Sequence, residues 1–393
     1  MTLRRIPVIQ LIDGFATEEH PGGAAQFGIQ LARHLDRDRY APFVCSLWRY
    51  GTASERRWLD RLRDEGIGTA VLVETPCRLA TDLVRAAALL GQVIARIGAR
   101  IVNSHFERGD LLGLASKLAH PAHPAIVRTM HTDQQWQTRP WLGSLLNLAA
   151  FPWLFDGELA ISLAAQATMD RRLAVRLLGR RATLLYNGIG RALVERLASA
   201  PRCPARPDAP RVTIVGRLAP QKGHRDFLIA STELLRRFPQ AELRIVGAGP
   251  RLGELRTFAG ELGIAHAVHF LGQRSDIPEI LLETDLLVSA SLWEGFPTVI
   301  LEAMAAGTPV VATNVSGSRE LVCDGETGRL APVGQPTALA QAMIWMLERP
   351  DQAHHMAERA RQQVRRYTLE YSAIGYDRLY RHILGEKRQA LES

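Results

Sequence analysis

Short apolar runs alternate along this chain with longer segments in which apolar residues recur every three or four positions. Short apolar runs bounded by turn residues are typical of buried parallel strands, and the longer spacing is typical of amphipathic helices. The alternation persists through most of the sequence. It therefore predicts an α/β architecture of doubly wound parallel sheets with helices on both faces.

The predicted strands form two series that a proline-rich segment separates. The first series lies at residues 6–12, 42–48, 69–73, 100–104, 125–130, 159–163 and 183–186. The second series lies at residues 212–215, 242–246, 268–271, 286–289 and 309–313. Because prolines stop helices and stiffen the chain, residues 198–210 are predicted to link a first domain at 1–197 to a second at 211–366. A tyrosine-rich amphipathic stretch within 367–393 is predicted to form a last helix that packs across to the first domain.

The formal net charge of +8 is concentrated in the first half of the chain. Residues 1–200 contain 25 Lys and Arg against 18 Asp and Glu, a net +7, whereas residues 201–393 contain 23 against 22, a net +1. Such a field favours anionic partners, which include nucleic acid, a membrane surface and acidic substrates. Nearly all the basic residues are arginines, so part of the high pI reflects composition. No basic motif interleaved with aromatic residues indicates a nucleic-acid partner.

The cysteines and the apolar segments of the sequence predict in which cellular compartment the protein is found. The four cysteines are far apart and form no CxxC pair, so neither a disulfide framework nor a zinc site is indicated and a reducing cytoplasm is predicted. The N-terminal apolar run before Asp13 is shorter than a secretory signal requires. The uncharged apolar segment 140–155 is shorter than the ~20 residues of a membrane-spanning helix. We therefore expect a cytoplasmic protein, with peripheral contact at the inner face of the membrane as an open possibility.

The segment 289–313, SASLWEGFPTVILEAMAAGTPVVAT, places Glu294 and Glu302 around the start of a predicted helix. A helix N-terminus carries unpaired N–H donors and partial positive charge, which favour an anion such as phosphate. The residues expected to surround that anion are Gly295, Phe296, Pro297, Thr298 and Val299, with Pro297 as the first helical residue. An isolated Glu commonly solvates a helix face. Glu302, however, precedes an apolar run and needs a partner there, which sugar or ribose hydroxyls can provide.

Two basic residues follow the first strand of the second series, at the sheet edge where doubly wound folds bind ligands. Arg217 offers a planar fork that matches phosphate oxygens, and Lys222 offers a mobile point charge. Either residue alone is more typical of a solvated surface. Together, in a loop with Gly216 and Gly223, they predict a diphosphate clamp.

Gly247 and Gly249 follow the next strand, where glycine lets the backbone approach a ligand closely. A tight turn without a ligand explains the pair equally well. A dinucleotide fingerprint needs a third glycine, and the chain has Leu252 at that position, which argues against a flavin or nicotinamide enzyme. The aspartates of Asp36-Arg37-Asp38 lie in a charged turn, so no metal is assigned and no cofactor is predicted.

In the first domain, a glycine pair and two histidines are candidate ligand groups. Gly22 and Gly23 follow the first strand, where a flexible pair can close over a phosphate or simply begin a helix. His131 ends the fifth strand and is expected to face the interdomain cleft, where its imidazole can donate to a sugar hydroxyl or shuttle a proton. His105 ends the fourth strand in the same way. Either histidine can also cap a loop without any ligand.

Aromatic and basic residues cluster around the segment 128–155. The residues are Arg128, Trp136, Arg139, Trp141, Phe151, Trp153 and Phe155. One interpretation is a core helix. The alternative is a surface that contacts membrane or a lipid-linked acceptor, for which Arg128 and Trp136 are the candidate acceptor ligands.

The ordered motifs VGRLAPQKG, VGAGP, LWEGFPTVILEAMAAGTPVVAT and DGETG resemble those of the retaining nucleotide-sugar glycosyltransferases of family 4, the "glycosyl transferases group 1" type. The resemblance is most specific from Val215 to Gly328 and looser in the first half. It implies a GT-B fold of two Rossmann-like domains facing across a cleft. The second domain would bind the sugar nucleotide and the first would bind the acceptor.

The resemblance also implies roles for individual residues. Arg217 and Lys222 correspond to the diphosphate clamp, Glu302 to the ribose ligand and Glu294 to the residue that touches the donor sugar. His131 corresponds to the histidine near the reacting sugar. The loop 272–275, with Arg274, corresponds to the region near the base. Members generally act without a bound metal, so the nucleotide sugar is a substrate and the basic pair supplies the positive charge.

The predicted activity is retaining transfer of a sugar, with a UDP-sugar as the expected donor, to a hydroxyl of a glycan or lipid-linked acceptor in surface polysaccharide, lipopolysaccharide or glycolipid synthesis. Glu294, His131, Arg217 and Lys222 are the predicted catalytic group. An epimerase or hydrolase of sugar nucleotides on the same fold is the main alternative. A non-enzymatic basic binding module is more remote, and no nucleic-acid partner is expected.

Overall fold

The computed structural model describes residues 5–15, 23–74, 79–119, 123–132, 143, 145–146 and 151–386. The chain forms two compact units. Unit 1 comprises residues 1–187 and 369–393, and unit 2 comprises residues 188–368.

Unit 1 contains a parallel sheet and the helices that connect its strands. Its strands are β1 (Ile6–Ile12), β2 (Tyr40–Trp48), β3 (Gly68–Val73), β4 (Ile101–Ser104), β5 (Ala125–Met130), β6 (Gly157–Ala160) and β7 (Thr183–Leu184). Its helices are α1 (Gly23–His34), α2 (Ala53–Asp64), α3 (Leu79–Ile97), α4 (Glu107–Ala119), α5 (Phe151–Leu154), α6 (Leu163–Asp170), α7 (Leu173–Leu178) and, from the end of the chain, the helix Leu369–Ile383. Within the described residues the strand order is β3-β2-β1-β4-β5-β6-β7. β1 and β4 are central strands and are largely buried, with Gln10 and Asn103 as buried polar residues among apolar ones.

Unit 2 repeats this plan. Its strands are β8 (Arg211–Val215), β9 (Glu242–Val246), β10 (Val268–Gly272), β11 (Leu286–Ser289), β12 (Val310–Thr313) and β13 (Arg329–Ala331). Its helices are α8 (Arg191–Ser199), α9 (His224–Arg237), α10 (Leu252–Glu261), α11 (Ile277–Glu283), α12 (Thr298–Ala306), α13 (Ser316–Leu321), α14 (Pro336–Glu348) and α15 (Pro350–Gln363), and the helix Leu369–Ile383 of unit 1 is therefore α16. The strand order in the described part is β10-β9-β8-β11-β12-β13, all parallel. Strands β9 and β10 lie on one side of β8, whereas β11, β12 and β13 lie on its other side. The strand order thus switches between β8 and β11, and ligands of doubly wound sheets bind at such a switch point.

The last helix packs on unit 1, as predicted. Leu369, Ala373, Tyr376 and Tyr380 of α16 are buried in one apolar cluster with Val8 of β1 and residues of α1 and β2. Gly375 has Leu185 against it so closely that a Cβ would lie 2.3 Å from that side chain. The C-terminal segment is thus part of the core of unit 1.

The division between the units differs from the predicted domain boundary. The chain leaves unit 1 after Asn187, whereas the proline-rich segment 198–210 lies within unit 2. Arg202 fixes this segment there, because its guanidinium donates to the Ala306 and Thr284 carbonyl oxygens. The segment forms neither helix nor strand after Ser199, in keeping with its prolines, but it is packed along unit 2 and does not connect the units.

Two elements differ from the predicted series. The run 159–163 is not all strand: β6 ends at Ala160, and the Ser162 hydroxyl accepts from Ala165 N, which caps α6 and starts the helix at Leu163. β13 was absent from the predicted series because three residues carry little periodic signal. In the described ranges, no helix combines the length and the apolar character that crossing a bilayer requires.

A buried ion cluster occupies the interior of unit 1. The Arg128 side chain is almost wholly inaccessible, with its Nε 2.8 Å from Asp110 Oδ2 and its Nη1 3.3 Å from Glu158 Oε1. Its guanidinium carbon lies 4.6 Å from the centre of the Phe151 ring, and Arg172 pairs with the other side of Glu158. Arg128 is therefore a core residue. Its charge is buried, in contrast to the prediction that it binds an acceptor.

We expect Arg128→Met to destabilise unit 1 by about 3–5 kcal/mol, because it leaves the Asp110 carboxylate buried without its cation. Arg171→Met is the matched control, since Arg171 is exposed, and it should change stability by less than about 0.5 kcal/mol. Chemical denaturation of both variants measures the difference. Equal midpoints for the two variants would contradict the structural role given to Arg128.

Candidate functional site

The site in unit 2 is built where the loop after β8 packs on the loop after β11. Gly223 follows a short 3₁₀ turn at Pro220–Lys222 and has φ +64°. A Cβ at this position would lie 1.8 Å from the Ala290 carbonyl oxygen, so only glycine permits the approach. The start of α9 is thereby held against the end of β11.

Backbone and side-chain hydrogen bonds then join the two loops. Leu292 N donates to the Gln221 carbonyl oxygen at 2.7 Å, and Gln221 Nε2 donates to the Trp293 carbonyl oxygen at 3.1 Å. These bonds fix the positions of the residues on either side of Gln221 and Trp293. Lys222 and Glu294, which are 72 residues apart in sequence, become neighbours.

Lys222 and Glu294 form an ion pair. Lys222 Nζ donates to Glu294 Oε2 at 2.6 Å, and the Ser291 hydroxyl donates to the same oxygen at 3.1 Å. Both charged side chains remain partly accessible, at 21% and 13%. The pair orients the carboxylate through one oxygen and leaves its Oε1 without a hydrogen bond from the described residues. That oxygen is therefore available to a hydroxyl of a ligand.

The glycine loop after β9 completes the site on its other side. Gly216 N donates to the Val246 carbonyl oxygen and Leu218 N donates to that of Ala248. Gly247 has φ +141°, and a Cβ there would lie 2.1 Å from the Gly216 carbonyl oxygen. Gly247 and Gly249 are thus required for the packing of two loops against each other.

The helix α12 begins at the same sheet edge. Pro297 is its N-cap and Thr298 its first residue, one position later than predicted. Ile300 N donates to the Pro297 carbonyl oxygen at 3.1 Å, which leaves the N–H groups of Thr298 and Val299 without an intrahelical partner. The C-cap of α12 is Gly307 in the left-handed conformation. The start of the helix is therefore suited to binding an anion.

Glu302 lies in the second turn of α12 among the buried side chains of Leu301, Ala303 and Met304. No described residue donates a hydrogen bond to its carboxylate. Burial raises the pKa of Glu302 to about 7. A carboxyl group with this pKa is only partly ionised at neutral pH, and a hydrogen-bond donor from a ligand would favour its ionised form.

Arg217 and Arg274 differ in their availability. Arg217 is exposed in the loop after β8, and no described residue forms an ion pair with it. Arg274 is engaged with Asp276 through two contacts of 2.8 and 2.5 Å. It lines an open depression of about 430 Å³ together with Arg244 and Glu283. Among the described residues, the hydrogen bonds and ion pair of Arg274 do not extend to the loops that carry Lys222 and Glu294.

Three further residues of the site were not predicted. Gly317 N donates to the Glu294 carbonyl oxygen, and a Cβ on Gly317 would lie 2.5 Å from the Gly295 carbonyl oxygen, so this glycine supports the loop before α12. Ser291 orients Glu294, as described above. His224 is buried beside Lys222, its ring nitrogens have no partner among the described residues, and burial lowers its pKa to about 4. Their signal in the sequence was position alone: each follows a strand end or the Lys-Gly pair.

In unit 1, His105 and His131 follow β4 and β5, which are adjacent strands. His105 Nδ1 lies 3.0 Å from His131 Nε2, and Phe27 of α1 packs edge-on against both rings. His105 is buried and His131 is partly accessible. Burial lowers the pKa of His131 to about 3 and that of His105 well below its usual range, so both rings are neutral at pH 7.

The remaining predicted residues of unit 1 lie elsewhere. Gly23 is the first residue of α1, and Gly22 is outside the described residues. Trp136 also falls outside them. Arg128 is buried in the ion cluster described above. Of the predicted first-domain candidates, the structure brings together His105 and His131.

Known proteins similar to this chain identify its family. Residues 200–363 match the family described as Glycosyl transferases group 1. The chain is 32% identical over 288 residues to the phosphatidyl-myo-inositol mannosyltransferase of Mycolicibacterium smegmatis, an alignment that covers 72% of this chain and 71% of that protein.

Solved structures share the fold. HepE of Anabaena, crystallised in complex with UDP, superposes with a TM-score of 0.73 at 22% identity and covers 96% of this chain and 100% of its own. Sucrose-phosphate synthase from Thermosynechococcus elongatus gives a TM-score of 0.75 at 21% identity, over 98% of this chain and 100% of its own. The predicted resemblance is confirmed: this chain belongs to the glycosyl transferases group 1, family 4, and is a nucleotide-sugar glycosyltransferase with the GT-B fold.

Proposed function

We propose that this enzyme transfers a sugar from UDP to a hydroxyl of a lipid-linked or glycan acceptor with retention of anomeric configuration. The observation that carries the proposal is the ion pair of Lys222 with Glu294 just before the start of α12, at the switch point of unit 2. Arg217 lies exposed in the same loop as Lys222. UDP is chosen because HepE, which shares the fold, is crystallised with it.

The diphosphate binds between the basic loop and the helix start in this proposal. Arg217 forms a bidentate contact to phosphate oxygens, and Lys222 neutralises the charge that grows on the leaving diphosphate. Lys222 is already held by Glu294, so its ammonium group is positioned before the substrate arrives. Positive charge from these two residues and from the N-terminus of α12 stabilises the departing nucleoside diphosphate. No metal is assigned to this step.

Glu294 and Glu302 orient the two sugars of the donor. The free Oε1 of Glu294 accepts from a hydroxyl of the transferred sugar. Glu302 accepts from the ribose hydroxyls, which supply hydrogen-bond donors to its half-buried carboxylate. Both glutamates therefore act as positioning ligands and leave the proton transfer to the substrates.

The acceptor hydroxyl attacks the anomeric carbon on the face from which the diphosphate departs. The bond from that carbon to the phosphate oxygen breaks as the bond to the acceptor oxygen forms, and the departing phosphate takes the acceptor's proton. His131 of unit 1 contacts a sugar hydroxyl as a neutral imidazole. The protein contributes position and electrostatic stabilisation.

A lipid-linked acceptor, in surface polysaccharide, lipopolysaccharide or glycolipid synthesis, is supported by an apolar and basic surface on unit 1. Trp153 of α5 and Leu173 and Leu177 of α7 are exposed at 58%, 65% and 75%. Helices α5 and α7 are in contact, and Leu173 and Leu177 share one face of α7. Exposed arginines lie within α7 or beside it: Arg176 is in the helix, and Arg171, Arg180 and Arg181 lie next to its ends. We call this the α7 surface and propose that it binds an anionic membrane at the cytoplasmic face.

We expect Lys222→Ala to lower kcat for sugar transfer by about 10²–10³-fold, because it removes charge stabilisation of the leaving diphosphate. Glu302→Ala should likewise lose most transfer. Arg236→Ala, at an exposed position on α9, is the control and should retain activity. A product assay with UDP-sugars measures transfer, and circular dichroism checks the fold. Near-normal turnover by Lys222→Ala would contradict the clamp, and rapid conversion of the nucleotide sugar without acceptor would instead support an epimerase or hydrolase.

The raised pKa of Glu302 predicts how stability depends on pH. Between the unfolded pKa near 4.5 and the folded value of about 7, the native state retains a proton that the unfolded state has lost. The free energy of unfolding therefore falls as pH rises through this interval. Glu302→Gln removes the effect and should be more stable than the wild type by on the order of 1–3 kcal/mol at pH 8, with no difference near pH 4.5.

Thermal unfolding of wild type and Glu302→Gln between pH 4.5 and 8 tests this expectation. Glu261→Gln changes an exposed glutamate of α10 and should follow the wild type at every pH. If the Glu302→Gln and wild-type curves stay parallel over the whole range, Glu302 does not carry the shifted pKa.

We expect the protein to bind vesicles that contain phosphatidylglycerol, to bind pure phosphatidylcholine vesicles weakly, and to lose binding at high salt. Leu173→Ser with Leu177→Ser should weaken binding on the order of tenfold, because two inserting side chains are lost. Val84→Ser, at an exposed valine of α3, is the control. Vesicle co-sedimentation measures the affinity, and equal binding by the double variant and the control would exclude the α7 surface.

A further inference from the structure

A continuous set of buried hydrogen bonds connects α16 to the two histidines of unit 1. Its members lie on β1, β4 and β5, in the loops that follow β4 and β5, and on α16 itself. They are Gln10, Asn103, His105, Thr129, His131, Tyr376 and Tyr380. All except His131 are buried. With the Gln10 and Asn103 amides oriented as the structure places them, the limited number of protons on each group assigns the direction of the bonds that lead to His131.

The assignment begins at α16. Thr129 Oγ1 donates to Asn103 Oδ1 at 3.0 Å, which uses its single proton. In its 3.0 Å contact with Thr129, Tyr376 Oη must therefore be the donor. With Oδ1 occupied in this way, the amide nitrogen of Asn103 faces Gln10 and donates to Gln10 Oε1 at 2.9 Å.

Gln10 determines the proton position on His105. Its Nε2 donates to Tyr380 Oη at 3.3 Å, which directs Oε1 toward His105 Nε2 at 2.9 Å. An amide oxygen can only accept, so His105 Nε2 carries a proton. Asn103 Nδ2 is also 3.3 Å from this nitrogen, but the shorter contact to the oxygen decides the assignment, because an unprotonated nitrogen would face that oxygen lone pair to lone pair.

His105 in turn determines the proton position on His131. A neutral imidazole with a proton on Nε2 has a bare Nδ1, and His105 Nδ1 lies 3.0 Å from His131 Nε2. His131 Nε2 must therefore be the donor. His131 is neutral as well, so its one ring proton is on Nε2 and its Nδ1 is a lone pair to which no described residue donates.

We propose that His105 is a positioning residue that holds His131 as the Nε2–H tautomer, so that His131 Nδ1 accepts a hydrogen bond from a hydroxyl of the substrate. The choice of a substrate hydroxyl as donor rests on the proposed function. The sequence predicted that His131 donates to a sugar hydroxyl or shuttles a proton, whereas the network makes its Nδ1 an acceptor. The chain end contributes to this selection, since Tyr376 and Tyr380 orient Thr129 and Gln10.

The tautomer is measured directly by two-bond ¹H–¹⁵N correlation spectra of the full-length protein labelled at its histidines. The His131 signals are identified by their loss in His131→Gln. At pH 7.5 we expect Nε2 at the protonated position and Nδ1 at the unprotonated position. A protonated Nδ1 in the wild type overturns the proposal, and this result does not depend on any transferase assay.

Two variants of His105 separate positioning from packing. His105→Phe keeps the ring volume but removes the acceptor, so His131 should populate both tautomers and kcat should fall about ten- to a hundredfold with little change in KM for the nucleotide sugar. His105→Asn places an amide oxygen near the former Nδ1 and should restore both the single tautomer and most of the activity. Circular dichroism and thermal unfolding verify that each variant folds.

The outcomes distinguish this proposal from the proposed function. If His105→Phe changes the tautomer but leaves kcat intact, His105 does not act through His131 and the proposal fails while the transferase assignment stands. If the wild type transfers no sugar to any acceptor but the His131 signals show the Nε2–H tautomer, the positioning of His131 by His105 stands and the proposed reaction fails. An unchanged tautomer in His105→Phe also overturns the proposal.

Discussion

The close approach of Gly223 to the backbone at Ala290 is the constraint on which the proposed donor site depends. With 1.8 Å between a Cβ at Gly223 and the Ala290 carbonyl oxygen, no other residue lets α9 begin so near β11. The loops after β8 and β11 then share hydrogen bonds, and Lys222 reaches Glu294. A buried or half-buried ion pair is weak evidence for stability, since its desolvation offsets much of its attraction. Its value here is geometric, because it orients two charges before a substrate binds.

The two units use charge in different ways. In unit 2, Arg217 and Glu302 form no ion pair with a described residue, and about a fifth of the Lys222 side chain is solvent-accessible. Such availability is expected of groups that bind a charged and hydroxyl-rich ligand. In unit 1, Arg128, Asp110 and Glu158 are buried against one another and against Phe151. The same residue types thus mark a site in one unit and a core in the other. Burial and the number of satisfied partners tell them apart.

The histidine pair shows how a core feature extends into function. Buried polar groups must be hydrogen-bonded, and each hydrogen bond that forms limits which atom can donate in the neighbouring one. The hydrogen-bond directions are linked in this way from Tyr376 to His105, by way of Thr129, Asn103 and Gln10. The last helix of the chain therefore stabilises unit 1 by apolar packing and also orders the polar groups that reach the sheet edge. Both effects come from the same face of α16.

Periodicity and motif order in the sequence determined the α/β class, almost every strand, the family and the loops of the proposed donor site, because apolar runs and strand-end glycines are local signals. The sequence did not determine which charged side chains are buried, since Arg128 and Arg217 look alike until their neighbours are known. It also placed the domain boundary at prolines, whereas Arg202 packs that segment into unit 2. Only the tertiary structure joined Lys222 to Glu294, supplied Ser291 and Gly317, and gave His131 its tautomer. These depend on contacts between residues far apart in the chain, and no local pattern encodes such contacts.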